Sequence, residues 1–186
     1  MTSYRAVVCT VAGLLSLLVL TASAADRPSN DWRARLVEEL PLLGHRNWIA
    51  VVDSAYPLQT SSGIETVETG SDQLEVVRTV LEQVGRTKHV RPVIFTDAEL
   101  KVVPETDAAG VTAYRQALGH LLGKTEAQSL PHEEIISRLD EAGKTFHILV
   151  LKTKMTIPYT SVFVRLDCGY WTDDAEKRLR QAMAGR

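Results

Sequence analysis

The chain has 186 residues, of which 45% are hydrophobic and 24% are charged, and its formal net charge is −2 at pH 7. A mildly acidic chain without a basic cluster argues against a protein that binds nucleic acid. Of its two cysteines, Cys9 lies in an N-terminal apolar run. The rest of the chain keeps only Cys168 and is therefore expected to have no internal disulfide.

The first residues have the pattern of a cleavable signal peptide. A short start containing Arg5 leads into an apolar run over residues 6–22, and Ala22-Ser23-Ala24 is a small-residue cleavage site. A transmembrane anchor is the alternative, but polar residues dilute the run and no positive cluster follows it. We therefore predict a signal peptide over residues 1–24 and an exported product, periplasmic or secreted, with no membrane contact after signal removal. The mature part, residues 25–186, has the length of one domain.

The mature part alternates between apolar repeats of helical spacing and short apolar runs typical of strands. In chain order, these patterns predict a helix over residues 32–40, strands over 48–52 and 64–67, a helix over 74–84, strands over 93–95 and 100–103, helices over 111–121 and 132–143, strands over 146–151 and 161–166, and a last helix over 173–183. The polar segment 152–159 is expected to be a hairpin or a loop. This alternation predicts an α/β fold, a single layered domain with a largely parallel sheet flanked by helices.

Several functional motifs are absent from the sequence. It contains no glycine-rich phosphate loop and no G-x-S-x-G nucleophile elbow. The helix that begins at His132 lacks a second histidine at the spacing of a helical zinc site. We therefore expect no cofactor, no metal and no covalent acyl intermediate.

Four side chains at the ends of predicted elements are candidates for proton transfer or ligand binding: His45, Asp53, His132 and Tyr159. Histidine donates and accepts protons near neutral pH, and functional groups of α/β folds gather at element ends. Each residue also has a structural alternative. His45 could be an exposed turn residue, Asp53 could form an Asx turn, His132 could simply begin a helix, and Tyr159 could pack on the sheet.

Three segments together resemble the D-ribose pyranase / L-fucose mutarotase family (RbsD/FucU). The first is Leu43-Gly44-His45, followed by an apolar strand and then Asp53-Ser54-Ala55-Tyr56-Pro57 at the family's spacing from histidine to aspartate. The second is His132-Glu133 at a helix start, and the third is Ile157-Pro158-Tyr159-Thr160-Ser161 before another apolar strand. The segments occur in the family's order and cover residues 32–168, so the chain resembles an exported, divergent member. Asn47 replaces the family's acidic residue, and Ser161 replaces its asparagine.

The resemblance implies an α/β fold, a ring-shaped homo-oligomer, no cofactor and a monosaccharide substrate. It also implies an isomerase that interconverts anomers or ring forms of the sugar. By the same resemblance, His45, Asp53 and His132 would be catalytic, and Tyr159 and Ser161 would bind the substrate. One acid and one base suffice for this reaction, because a proton leaves the anomeric hydroxyl while another reaches the ring oxygen.

The spacing of His45 and Asp53 constrains where such a site could lie. The extended chain between them spans up to ~26 Å. They share a site only if the chain folds back or if neighbouring subunits complete it, and we predict active sites between subunits. Two other functions remain open: a non-catalytic carbohydrate-binding protein on the same scaffold, and a related isomerase or hydrolase that acts on modified sugars.

Overall fold

The computed structural model describes residues 31–185. The predicted signal peptide, with its cleavage site, lies outside the described residues. Within residues 31–185, no helix is both long enough and apolar enough to cross a membrane.

Six strands form one sheet: β1 (Trp48–Val52), β2 (Ile64–Glu68), β3 (Val90–Asp97), β4 (Ala127–Leu130), β5 (Ile148–Lys152) and β6 (Val162–Cys168). Their order across the sheet is β2-β5-β1-β6-β3-β4. Strand β6 runs antiparallel to both of its neighbours, β1 and β3, whereas the other pairings are parallel. The predicted α/β fold with a largely parallel sheet is confirmed.

Five α-helices and one short 3-10 helix accompany the sheet: α1 (Trp32–Glu39), α2 (Gln73–Arg86), the 3-10 helix (Ala98–Lys101), α3 (Val111–Leu122), α4 (His132–Ala142) and α5 (Asp173–Ala184). Helices α1, α2 and α3 bury their apolar sides in a core on one face of the sheet, and α4 buries its own on the other face. Strand β1 is buried throughout and contributes alternate side chains to the two cores. Helix α5 buries no residue.

The structure differs from the predicted elements in two places and decides between two alternatives in a third. The strand predicted over 100–103 is wrong, because the segment forms the end of the 3-10 helix and a turn, with Val102 78% exposed. Strand β4 is an unpredicted element, since its short polar sequence has no apolar alternation and is extended only because it pairs with β3. The segment 152–159 is a loop and not a hairpin, because β5 and β6 lie on opposite sides of β1.

A buried glutamine ties together three chain segments at one edge of the sheet. Gln73, which is 0% exposed, donates hydrogen bonds from Nε2 to the carbonyls of Val51 and Thr160, both at 3.0 Å. Its Oε1 accepts a hydrogen bond from the hydroxyl of Thr153. The buried hydroxyl of Tyr114 donates to the same Thr160 carbonyl at 2.6 Å. These bonds fix the end of β1 against the segments that leave β5 and enter β6.

Replacing Gln73 should therefore destabilise the domain. We expect Gln73→Met, which keeps the length of the side chain, to lower the free energy of unfolding by about 2–4 kcal/mol because buried polar groups lose their partners. Gln83→Met is the matched control, since Gln83 lies on the same helix and its side chain makes no hydrogen bond within the described chain. It should change stability by about 0.5 kcal/mol or less. Urea denaturation measures both, and equal losses in the two variants would contradict the role of Gln73.

Candidate functional site

A cavity of about 530 Å³ opens at the edge of the sheet where the parallel strands end. Its wall consists of the loop after β1, the first turn of α4 and the segment that leads into β6. This edge is where open α/β sheets bind ligands, and the volume is in the usual range for small molecules. The polar residues that line the cavity are Asp53, Ser54, Tyr56, Gln59, His132, Glu133, Thr156 and Tyr159.

A buried carboxylate holds the imidazole of His132. Nδ1 of His132 lies 3.1 Å from Oδ1 of Asp97, whose side chain is 0% exposed at the end of β3. An ionised carboxylate only accepts hydrogen bonds, so the proton of a neutral His132 is on Nδ1. Nε2 is then the basic nitrogen that a ligand in the cavity can reach.

Burial raises the pKa of Asp97 to about 6, although the hydrogen bond and charge of His132 partly oppose this. At neutral pH the carboxyl group is still mostly ionised. Its charge can therefore stabilise a protonated His132, and it fixes the orientation of the ring.

A second acidic side chain binds the backbone of His132. Pro131 precedes α4 and has no side chain that could cap it. The carboxylate of Glu99, in the 3-10 helix, instead accepts the backbone N–H of His132 with both oxygens at 3.1 Å. A negative charge at this position also suits the positive end of the helix dipole.

The ring of Tyr159 contacts the ring of His132 in the wall of the cavity. The two rings meet edge to face, with centroids 5.7 Å apart and an interplanar angle of 80°. The backbone φ of Tyr159 is 58°, a left-handed conformation that costs of order 1–3 kcal/mol for a residue other than glycine. Backbone strain of this kind is concentrated at functional sites.

Asp53 and Ser161 occupy different positions relative to the cavity. Asp53 lines the cavity. It also forms the Asx turn that the sequence analysis gave as its structural role, since Oδ1 of Asp53 accepts a hydrogen bond from the backbone N–H of Ala55 at 2.8 Å. Ser161 is 1% exposed and does not line the cavity, so its contact with a substrate stays a prediction.

His45 lies at the opposite edge of the sheet, before β1, and its side chain is 57% exposed. Its Nδ1 is 2.9 Å from Oδ1 of Asp167, and its Nε2 is 3.3 Å from Nε of Arg46. Both contacts are satisfied when His45 is neutral with its proton on Nδ1. Within one chain, the structure therefore brings Asp53, His132 and Tyr159 together and leaves His45 apart.

The pKa of Asp167 is lowered even though burial acts to raise it. The backbone N–H of Cys168, the hydrogen bond with His45 and the charge of Arg91 together outweigh burial. The guanidinium of Arg91 lies 2.6 Å from Oδ2 of Asp167. Asp167 therefore remains ionised and orients His45 as Asp97 orients His132.

The two aspartates that orient the histidines are the functional groups that the sequence analysis missed. Asp97 lies two residues after the predicted strand over 93–95, much as Asp53 follows the strand over 48–52, and this signal was available. Asp167 lies within a strand, and nothing in the sequence pairs it with His45, 122 residues away.

Glu39, Glu65 and His147 have ligand atoms within 4.8 Å of one another, a spacing that could hold a metal ion. Arg35 already binds both carboxylates, at 2.7 Å from each. The hydrogen bond from Arg35 is the main reason that the pKa of Glu65 is lowered. Arg35 compensates one of the two negative charges and occupies an oxygen of each carboxylate, and we assign no metal to the cluster.

The ionisation of Asp97 should appear in the pH dependence of stability. Its folded-state pKa, about 6, exceeds the ordinary value of 3.8, so ionisation costs free energy in the folded protein. The stability that the neutral carboxyl provides below about pH 4 should be lost as pH rises through about 6, by roughly 2–3 kcal/mol. Asp97→Asn lacks this ionisation, so its stability relative to the parent chain should rise over the same interval.

Urea denaturation at about pH 4 and about pH 7.5 measures this difference. Asp174→Asn is the control, since Asp174 is exposed and its substitution should have an effect that varies little with pH. An effect of Asp97→Asn that is equally independent of pH would contradict the raised pKa.

No protein-family model and no curated protein sequence matches the chain. Solved structures do match. RbsD of Bacillus subtilis, solved with D-ribose, is 18% identical with a TM-score of 0.51, and the match covers 71% of this chain and 90% of that chain. The fucose mutarotase of Streptococcus pneumoniae, solved with L-fucose, is 19% identical with a TM-score of 0.45, covering 70% and 89%. FucU of Bifidobacterium longum is 13% identical with a TM-score of 0.45, covering 71% and 92%. At these identities the likeness to RbsD shows the fold, and the chain has an RbsD-like α/β fold.

Proposed function

We propose that the chain is a cofactor-free sugar mutarotase or pyranase, an isomerase that interconverts anomers or ring forms of a monosaccharide. The observation that carries this proposal is the Asp97–His132 pair, because it presents a positioned base to a cavity that Asp53 and Tyr159 also line. The likeness to RbsD, a protein solved with D-ribose, supports the choice of a sugar as ligand.

The reaction consists of two proton transfers, so it needs one base, one acid and no cofactor. A base removes the proton of the anomeric hydroxyl while an acid protonates the ring oxygen, the bond from the anomeric carbon to the ring oxygen breaks, and an open aldehyde forms. The aldehyde group then rotates, and the reverse proton transfers close the ring as the other anomer or the other ring form. Nε2 of His132 is suited to the first transfer, and Asp97 stabilises the imidazolium that results.

The rest of the cavity suits a ligand with many hydroxyl groups. Asp53 and Glu133 supply carboxylate oxygens that accept hydrogen bonds from hydroxyls. Burial raises the pKa of Tyr56 to about 12, so its hydroxyl remains protonated and donates to Gln59 at 3.1 Å. The ring of Tyr159 provides an apolar surface against which one side of a sugar can pack.

The position of His45 bears on the assembly. We propose a ring-shaped homo-oligomer in which the His45–Asp167 pair of one subunit completes the cavity of the next. A heterologous contact of this kind joins two different surfaces, and it forms a ring when the rotation between neighbouring subunits closes. The exposure of His45 supports this arrangement, because the side chain is free to meet a neighbour. The two histidines would then act as acid and base on opposite sides of the sugar.

The site of action is also part of the proposal. The N-terminal pattern over residues 1–24 favours an exported enzyme, periplasmic or secreted, that acts on a sugar outside the cytoplasm.

Anomer exchange measured by NMR saturation transfer tests the proposed activity. We expect the purified mature chain to accelerate exchange of at least one sugar among ribose, fucose, glucose and galactose. His132→Ala should reduce the rate by about 10²–10⁴-fold because the base is lost. His120→Ala is the matched control, since His120 is an exposed histidine on α3 that does not line the cavity, and it should leave the rate unchanged.

The other outcomes point to other functions. Sugar binding without any exchange would favour a carbohydrate-binding protein, and a new covalent product would favour an isomerase or hydrolase of modified sugars. An equal loss of activity in His120→Ala and His132→Ala would contradict the role of the Asp97–His132 pair.

A further inference from the structure

Two adjoining cavities, of about 480 and 790 Å³, lie away from the cavity that contains His132. They share two lining residues, Arg46 and Arg165, and neither shares a lining residue with the His132 cavity. We call the two together the arginine groove. Its larger part also contains His45 and Asp167.

Two arginines of the arginine groove have no carboxylate partner. Each acidic side chain that lines it already has a basic partner: Glu134 with Arg138, Glu141 with Lys144, Asp167 and Asp173 with Arg91, and Glu176 with Arg180. Among residues 31–185, Arg46 and Arg165 have no ion-pair partner. Because Arg91 serves two carboxylates, six basic side chains face five acidic ones, counting Lys144, and the surplus is one positive charge. Arg46 and Arg165 are the two arginines of the groove without a carboxylate at ion-pair distance.

Arg165 is held in the middle of the sheet. It lies on β6 and is in register with Trp48 of β1 and Val93 of β3, on the same face as Phe163. Its guanidinium is half-buried 5.7 Å from the ring of Phe95. Partial removal of water strengthens the attraction of a guanidinium for an anion, and its planar donors match the oxygens of phosphate or carboxylate.

Arg46 reaches the groove from the turn before β1. Its φ of 78° is in the left-handed region, an unfavourable backbone conformation for arginine. The guanidinium lies 5.6 Å from the ring of Phe146, and Nε contacts His45. Arg46 therefore places a guanidinium without a carboxylate partner in the groove from a strained backbone position.

We propose that Arg46 and Arg165 form a binding site for the oxyanion group of a small metabolite. The group is either the phosphate of a phosphate ester or a carboxylate. Aromatic side chains give the remainder of the ligand apolar surfaces to contact, with Trp48 and Phe146 in the smaller part and Tyr170 and Trp171 in the larger part. The site shares no lining residue with the His132 cavity, and in the proposed ring it would lie beside the active site that its His45–Asp167 pair completes.

Isothermal titration of the full mature chain tests the site. The probes are inorganic phosphate, ribose 5-phosphate, glucuronate and uncharged ribose. We expect ribose 5-phosphate or glucuronate to bind, with affinity that falls as salt concentration rises. Whichever of the two binds more tightly identifies the oxyanion as phosphate or carboxylate. Inorganic phosphate shows whether the charge alone suffices.

Arg165→Gln and Arg46→Gln should each weaken binding of the anionic probe by about tenfold or more. Arg165→Lys, which keeps the charge and loses the planar donors, should give an intermediate loss. Arg78→Gln is the matched control, because Arg78 is exposed on α2 at the other face of the sheet. It should bind as the parent chain does.

Failure of the site can be told apart from failure of the proposed function. His132→Ala should retain anion binding, and Arg165→Gln should retain binding of uncharged ribose where the parent chain shows it. Three results would overturn the site: no anionic probe binds, Arg165→Gln binds as well as Arg78→Gln, or Arg165→Gln changes the oligomeric state while no probe binds. The last would assign the groove to a contact with another protein chain.

Discussion

The site depends first on β1, a strand that is buried in all five of its residues. Because β1 is hydrogen-bonded on both sides, to β5 and β6, it has to remain extended. Its two ends, and the polar residues that flank them, therefore lie at opposite edges of the sheet. The same constraint that builds the core separates His45 from Asp53. It also means that a site using both residues needs a second chain.

The two edges carry the same pair of residue types in different environments. Asp97 is buried, and removal of water raises its pKa to about 6. Asp167 is partly exposed, and a backbone N–H, His45 and Arg91 lower its pKa against the effect of burial. Each aspartate nevertheless fixes the proton of its histidine on Nδ1. Two imidazoles with separate carboxylate partners supply the two groups that a reaction with one acid and one base needs.

The fold was predictable from local patterns, and the details of the site were not. The apolar runs of β1, β5 and β6 and the spacing in α2, with its Asp72 cap, define buried elements in the sequence itself. Strand β4 has no such pattern because only its pairing with β3 makes it extended. The Asp97–His132 and His45–Asp167 contacts join residues 35 and 122 positions apart, so they arise from sheet order. Spacing predicted the separation of His45 and Asp53, since an extended strand has a fixed rise.

The central claim is that one active site takes His132 from one subunit and His45 from its neighbour. Co-expression of His45→Ala with His132→Ala tests it by anomer exchange, since some interfaces of a mixed oligomer would combine an intact cavity with an intact His45. Each variant alone should be inactive, and random mixing should restore about a quarter of the parent rate. A mixture as inactive as its components, or full activity of His45→Ala alone, would contradict the account.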